Sequence, residues 1–194
     1  MQVLIGLDLG TSGAKAAAFQ LDGTLIALAQ HPYQFTQPAL GLSEIDPEYV
    51  WQQACRSLRQ VAAQLLPGAR VVGMGLSVLG ETCMALDASG RPVYPAIESM
   101  DGREDAYSDI VAWWKDRLGA ATLFRITSYP INSLASAHKL LWFQRRRPDL
   151  YAQVAHFTSF QDFALFRLTG EWAIDYSLAS RTMLFDVAHK CWSS

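Results

Sequence analysis

Residues 3–30 constrain the fold more than any other stretch. Three short apolar runs, Val3 to Asp8, Ala14 to Gln20 and Thr24 to Gln30, are joined by Gly10-Thr11-Ser12-Gly13 and by Leu21-Asp22-Gly23. Connections that short predict an antiparallel meander of three strands. The first turn carries more than a reversal needs. In Gly6-Leu7-Asp8-Leu9-Gly10-Thr11-Ser12-Gly13-Ala14-Lys15 an acidic residue closes a buried strand and a glycine-rich turn with hydroxyls and a lysine follows. Backbone N–H groups of such a turn form a concave anion site; Thr11 and Ser12 can add hydroxyl donors and Lys15 a positive charge. Asp8 would hold Mg²⁺ through water, because Mg²⁺ dehydrates reluctantly. A plainer reading is that Gly10 to Gly13 only closes a hairpin and Asp8 caps the turn. GxxxxGK[ST] is absent, and the glycines lead into a strand instead of a helix, so neither a P-loop nor a dinucleotide fingerprint is present.

Residues Pro32 to Leu42 read as a loop, and Asp46-Pro47-Glu48 caps a helix reaching about Leu66, stopped by Pro67-Gly68. Val71 to Ser77 is continuously apolar, the pattern of a strand buried on both faces; a helix before it places it parallel to the first strand. Cys83 to Leu86 and Val93 to Ile97 flank the turn signal Asp87-Ala88-Ser89-Gly90 and are expected as a hairpin or as a strand and a loop. Helices are expected over Glu104 to Leu118, Leu134 to Arg147 and Phe160 to Leu168, with Pro148 and Thr169-Gly170 as stops.

The chain has 194 residues, 51% hydrophobic and 18% charged, enough apolar material for one soluble domain. A formal charge of -2 gives no basic field for a nucleic-acid backbone, so nucleic acid is not an expected partner. Cys55, Cys83 and Cys191 are odd in number and lack ligand spacing, which argues against a disulfide framework or a zinc site and fits a reducing cytoplasm. No apolar run reaches the roughly 18 residues of a membrane span. The four histidines are scattered, and the tryptophans read as core or contact residues.

DxGTSxxK at the head of three antiparallel strands, followed by helix and strand, resembles the phosphate-1 element of the actin, chaperone and sugar-kinase superfamily. Gly75-Leu76-Ser77-Val78-Leu79-Gly80-Glu81-Thr82, followed by Leu86 to Ile97, is similar to the segment of FGGY carbohydrate kinases in which sugar-contacting residues leave a buried strand. Met100-Asp101-Gly102-Arg103 is similar to that family's W-x-D-x-R stretch. Thr169-Gly170-Glu171, Asp175 to Thr182 and Trp192-Ser193 match its LTGE, D-x-S-x-A-S-x-T and W-S patterns. The resemblance implies an α/β domain of RNase H-like (actin-like ATPase) topology, a mixed five-stranded sheet flanked by helices. It also implies ATP and Mg²⁺ as cofactors, and transfer of the γ-phosphoryl group to a hydroxyl of a sugar, polyol or sugar acid.

On that resemblance, Asp8, Gly10, Thr11, Ser12 and Lys15 handle phosphate, with Asp8 the metal contact, while Glu81, Thr82, Asp101 and Arg103 bind the sugar. Alternatives stand beside these roles. Glu81 can be a solvated loop acid, Arg103 can pair with Asp101 or Glu104 instead of sugar, and Asp162 and Asp175 read as helix and loop structure. The chain departs from the family where Gln-Arg-Glu-Thr or a Met-His-Gly stretch is usual, keeping only Glu81-Thr82, and Ser99 stands at the W position of W-x-D-x-R. Asp175 to Ser180 leans toward gluconate and xylulose kinases without choosing among xylulose, gluconate, fuculose or glycerol. The family's general-base aspartate and nucleotide-gripping second domain are expected beyond residue 194, so residues 1–194 are expected to be an incomplete, inactive N-terminal domain. Apolar surface would then stay exposed where the second domain docks, leaving the isolated domain open to homodimer formation or to aggregation. A non-catalytic actin-like or chaperone-like nucleotide module is the alternative function; Glu81, Asp101 and Arg103 argue against it.

Overall fold

The computed structural model describes residues 1–193, with the side chains of residues 104–106 outside the described set. In chain order the elements are β1 (Gln2–Leu9), β2 (Gly13–Gln20), β3 (Leu25–Pro32), β4 (Glu44–Ile45), α1 (Pro47–Ala63), β5 (Arg70–Val78), β6 (Cys83–Leu86) and β7 (Ala96–Ile97). They continue as α2 (Glu104–Leu118), α3 (Ala120–Thr127), α4 (Ser136–Arg146), α5 (Pro148–Tyr151), β8 (His156–Ser159), α6 (Phe160–Thr169), α7 (Tyr176–Arg181), β9 (Phe185–Asp186) and β10 (Cys191–Trp192). The chain forms two compact units: Met1–Phe35 with Asp46–Leu79, and Thr36–Ile45 with Gly80–Ser194.

The first unit is built on the expected meander. Its sheet runs β3-β2-β1-β5, with β1 antiparallel to β2 and parallel to β5. The class is the expected mixed α/β one, but this sheet has four strands where five were expected. The next strand along the chain, β6, joins a different sheet. Alternation along β1 and β2 sends Val3, Leu7, Leu9, Ala14, Ala16 and Ala18 to a buried face, where α1 packs. The alanines let the helix approach closely, and Ser57 Oγ donates to the Ala14 carbonyl at 2.9 Å. Asp46 caps α1 through the Glu48 N–H, as its position before Pro47 predicts.

Strand β5 pairs in parallel as expected, but it is not buried on both faces. Val71 is 50% and Val72 42% exposed, and Met74 is exposed too. The reason is position: β5 is an edge strand, so a continuous apolar run here marks unpartnered surface within the described residues.

The second unit contains the antiparallel sheet β4-β7-β6-β8. Cys83 pairs with Ile97 and Leu86 bridges Pro92, so the Asp87 turn closes a hairpin. The adjoining core gathers Cys83, Ala85, Ile97 and Phe143, with Tyr94, Trp142 and Phe157 set edge-on to the Phe143 ring. Helices α2, α4 and α6 lie within two residues of expectation; α3, α7 and the short strands β8–β10 were not foreseen, being too short for a periodic signal. Among the described residues no helix is long and apolar enough to cross a membrane.

His138 on α4 is fully buried, and neither ring nitrogen has a hydrogen-bond partner among the described residues. Burial pushes the imidazole from the ordinary 6.5 down to about 4, with the Lys139 charge adding to the effect. The unfolded chain therefore binds a proton that the folded one refuses, and this group's contribution is fully present above pH 6.5 and is lost as pH falls toward 4. We expect stability to urea to fall between pH 7.5 and 5 by about 2 kcal/mol more than in a His138→Leu variant. Parallel pH profiles for the two proteins would contradict this.

Candidate functional site

In the first unit, Asp8 lies directly opposite Lys15 on β2 and level with Ser77 on β5. All three line one open hollow on the sheet, where Gly6 and Gly75 leave the surface bare of side chains. Thr11 and Ser12 at the turn are exposed. Tyr33, which sequence spacing did not mark, props this turn from the loop after β3. Its hydroxyl donates to the Gly10 carbonyl at 2.7 Å and its N–H to the Ser12 carbonyl at 3.3 Å. Burial, then the Asp8 charge, raises its phenol well above the ordinary value.

Gly13 is required by close approach: a Cβ there would sit 2.7 Å from the His31 carbonyl oxygen. No group of three His, Cys, Asp or Glu side chains forms a metal cage among the described residues. A lone carboxylate beside an exposed hydroxyl-bearing turn is a donor set that suits Mg²⁺ carried in with a phosphate and its own waters. Gly13→Ala is expected to lower stability by about 2 kcal/mol in a denaturant melt, because backbone would have to shift; an unchanged midpoint would contradict that.

In the second unit the sugar-binding candidates separate into two groups. Asp101 and Arg103 are buried and committed to each other. Arg103 Nε donates to Asp101 Oδ1 at 2.5 Å, and its Nη2 donates to Asp101 Oδ2 at 3.0 Å and to Glu44 Oε1 at 2.6 Å. The guanidinium also lies 4.6 Å from the Trp142 ring centroid. Asp101 Oδ2 further accepts from the Ser43 N–H at 2.6 Å, and Glu44 Oε1 from the Tyr94 hydroxyl at 2.6 Å. The Asp101 pairing foreseen as the alternative for Arg103 is thus present, whereas Glu104 lies outside the described side chains. Glu44, from a separate stretch of chain, was not anticipated. The Thr82 side chain is fully buried.

Glu81 has a different setting. Its φ is 55°, and the Thr82 N–H donates to the Gly80 carbonyl at 2.8 Å, making a three-residue turn of the uncommon left-handed kind. The carboxylate is 10% exposed, and its Oε1 accepts from the Tyr129 hydroxyl at 2.8 Å and from Arg181 Nη1 at 2.5 Å. Arg181 is 49% exposed and passes beside Gly80, within van der Waals reach of where a Cβ would stand. Lys139, fully buried on α4, donates from Nζ to the Glu81 carbonyl at 2.6 Å. Glu81 is therefore no free loop acid. Neither Tyr129 nor Arg181 was singled out from sequence, although Arg181 occupies the variable position of the D-x-S-x-A-S-x-T stretch. Glu81 also borders a cavity of about 210 Å³ with Thr158, Asp162, Leu178 and Trp192 in its wall. Asp162 and Asp175 cap α6 and α7, as expected of structural acids.

A parallel strand laid beside an antiparallel meander, with an acid at the end of the first strand and a glycine turn after it, defines an α/β domain of the actin-like ATPase class. The description "FGGY family of carbohydrate kinases, N-terminal domain" matches residues 3–194, and the chain belongs to that family. It is 33% identical over 190 residues to xylulose kinase of Escherichia coli (strain K12), covering 97% of this chain and 38% of that protein. The crystal structure of xylulose kinase from Rhodospirillum rubrum superposes with a TM-score of 0.93 at 25% identity, covering 99% of this chain and 39% of that one. Plasmodium falciparum glycerol kinase with ADP gives 0.90 at 21% identity, covering 100% and 40%, a likeness of fold. The chain thus spans about two-fifths of the length of the relatives it matches.

With the Asp101–Arg103–Glu44 cluster this deeply buried, Asp101→Ala is expected to cost about 3 kcal/mol, since it leaves the guanidinium with only Glu44 of its two carboxylates and the Ser43 N–H without its acceptor. A loss below ~1 kcal/mol by urea titration would show that the pair is relaxed or wet.

Proposed function

We propose that this chain is the sugar-binding and phosphate-handling N-terminal part of an ATP-dependent carbohydrate kinase. The observation that carries the reading is Glu81: a carboxylate fixed by Tyr129 and Arg181 at the mouth of a partly enclosed site. A fixed carboxylate accepts hydrogen bonds from vicinal hydroxyls at little further ordering cost, and the half-exposed Arg181 adds donors beside it. Asp101 and Arg103 serve this reading as a rigid wall more than as direct partners of the sugar, because their mutual bonds already occupy them.

In the first unit Gly10, Thr11, Ser12 and Lys15 would meet ATP phosphate oxygens, and Asp8 would hold Mg²⁺ through water. The metal supplies charge neutralisation during phosphoryl transfer. Transfer requires nucleotide, metal, base and acceptor to be held together. The resemblance assigns the base to a segment outside these residues, so residues 1–194 by themselves are proposed to bind without turning over. Xylulose, gluconate and glycerol are the acceptors to test first.

Calorimetry with D-xylulose, D-gluconate and glycerol is expected to show weak binding of one of them, reduced about tenfold or more by Glu81→Gln, the worth of one hydrogen bond to a charged group. Binding that Glu81→Gln leaves intact, or ordinary ATP-dependent turnover by this chain alone, would overturn the assignment.

A further inference from the structure

Lys139 is a buried charge that the sugar-binding reading does not use. It sits on the inward face of α4, fully buried, and its ammonium donates to two backbone carbonyls, Glu81 at 2.6 Å and Leu134 at 3.2 Å. An ammonium in an interior costs free energy unless its donors are satisfied, and a methionine would fill similar space without that cost. What the charge gains here is the carbonyl of one particular residue. Glu81 is a non-glycine residue at φ 55°, the centre of the turn closed by Thr82 N–H and Gly80 carbonyl. Side-chain residues avoid that conformation unless their surroundings impose it.

Tyr129 and Arg181 hold the far end of the Glu81 side chain, and both touch the same oxygen, Oε1. Neither grips its backbone. Lys139 does, through a donor carried on a helix. Helix α4 is itself anchored: the Ala137 N–H donates to the Thr182 carbonyl at 3.0 Å, next to Arg181. One element therefore references both the turn that carries Glu81 and the segment that carries its arginine partner.

We propose that Lys139 is a positioning residue, whose buried ammonium holds the Glu81 backbone in the left-handed turn that delivers the carboxylate to Tyr129 and Arg181. This rests on reading Glu81 as the sugar-contacting carboxylate for its functional consequence, but the conformational effect is independent of any ligand. Lys139→Met removes the donor at similar length, and Lys139→Gln keeps a neutral N–H donor.

The test is the Glu81 ¹³Cα and ¹³Cβ chemical shift in isotopically labelled protein, which reports left-handed backbone directly. In folded Lys139→Met the left-handed signature is expected to disappear. Affinity for whichever of D-xylulose, D-gluconate or glycerol the chain binds is expected to fall about tenfold, with partial recovery of both in Lys139→Gln. Retention of the left-handed shifts in folded Lys139→Met overturns the proposal. If Lys139→Met does not fold, thermal melts of Lys139→Gln decide: its loss of Tm should be clearly smaller in a Glu81→Gly background, because glycine takes this φ freely. Equal losses in the two backgrounds overturn the proposal. A chain that binds none of the three sugars removes the reading of Glu81 as a sugar ligand and leaves the shift measurement to decide the role of Lys139.

Discussion

The second unit depends on a buried ionic clamp. After contributing residues 36–45 to that unit the chain leaves it to build α1 and β5, and returns to it at Gly80. Arg103 joins the two pieces by binding Glu44 from the first and Asp101 from the second, while Asp101 reaches back to the Ser43 N–H. The backbones meet beside it, with the Gly102 N–H donating to the Gly41 carbonyl at 2.5 Å. Gly41 has φ 80°, and a Cβ there would stand 2.9 Å from the Gly102 carbonyl oxygen, so the approach tolerates no side chain. Two carboxylates share one guanidinium, and the hydroxyl of Tyr94 and the ring of Trp142 complete its surroundings. Charges buried this thoroughly are tolerable only when nearly every donor and acceptor is matched, which makes the clamp selective for one arrangement of the loops.

With the clamp fixed, the polar chemistry of the unit can be concentrated at Glu81. Strand β6 follows immediately and is wholly buried, so the turn at Glu81 is the last point where the chain can present a side chain before entering the core. Lys139 of α4 bonds the backbone of that turn, and Tyr129 and Arg181 bond its carboxylate. In the first unit the polar groups are arranged by a sheet instead. Adjacent strands put Asp8, Lys15 and Ser77 in one row, and glycines keep the surface near them clear. Register alone produces that row, with Tyr33 as the prop that keeps the turn from collapsing.

Much of the first unit was legible because its signals are local. Turns of three or four residues admit only antiparallel neighbours, Pro47 after Asp46 admits a helix start, and the helix between β1 and β5 makes their pairing parallel. The burial of β5 was misread for a non-local reason: apolarity tells that a face wants covering, while strand order decides whether anything covers it. Similarly, the two-residue spacing of Asp101 and Arg103 showed that they could pair, but Glu44 lies 59 residues from Arg103 and no spacing announces it. His138 and Lys139, which no spacing marked, are both buried.

The sequence by itself determined the meander, the glycine turn behind Asp8 and the capped helix α1, and its motifs carried the resemblance to the family. The first three follow from chemistry within a few positions of the chain, whereas the family rests on several motifs in order along residues 3–194. Tertiary structure alone decided how the polar side chains are partnered. Asp101 and Arg103 are paired with each other and with Glu44, whereas Glu81 is fixed by Tyr129, Lys139 and Arg181, which are 48, 58 and 100 residues distant. Partners that far apart are chosen by packing, because only the folded chain brings their donors to one carboxylate and one carbonyl.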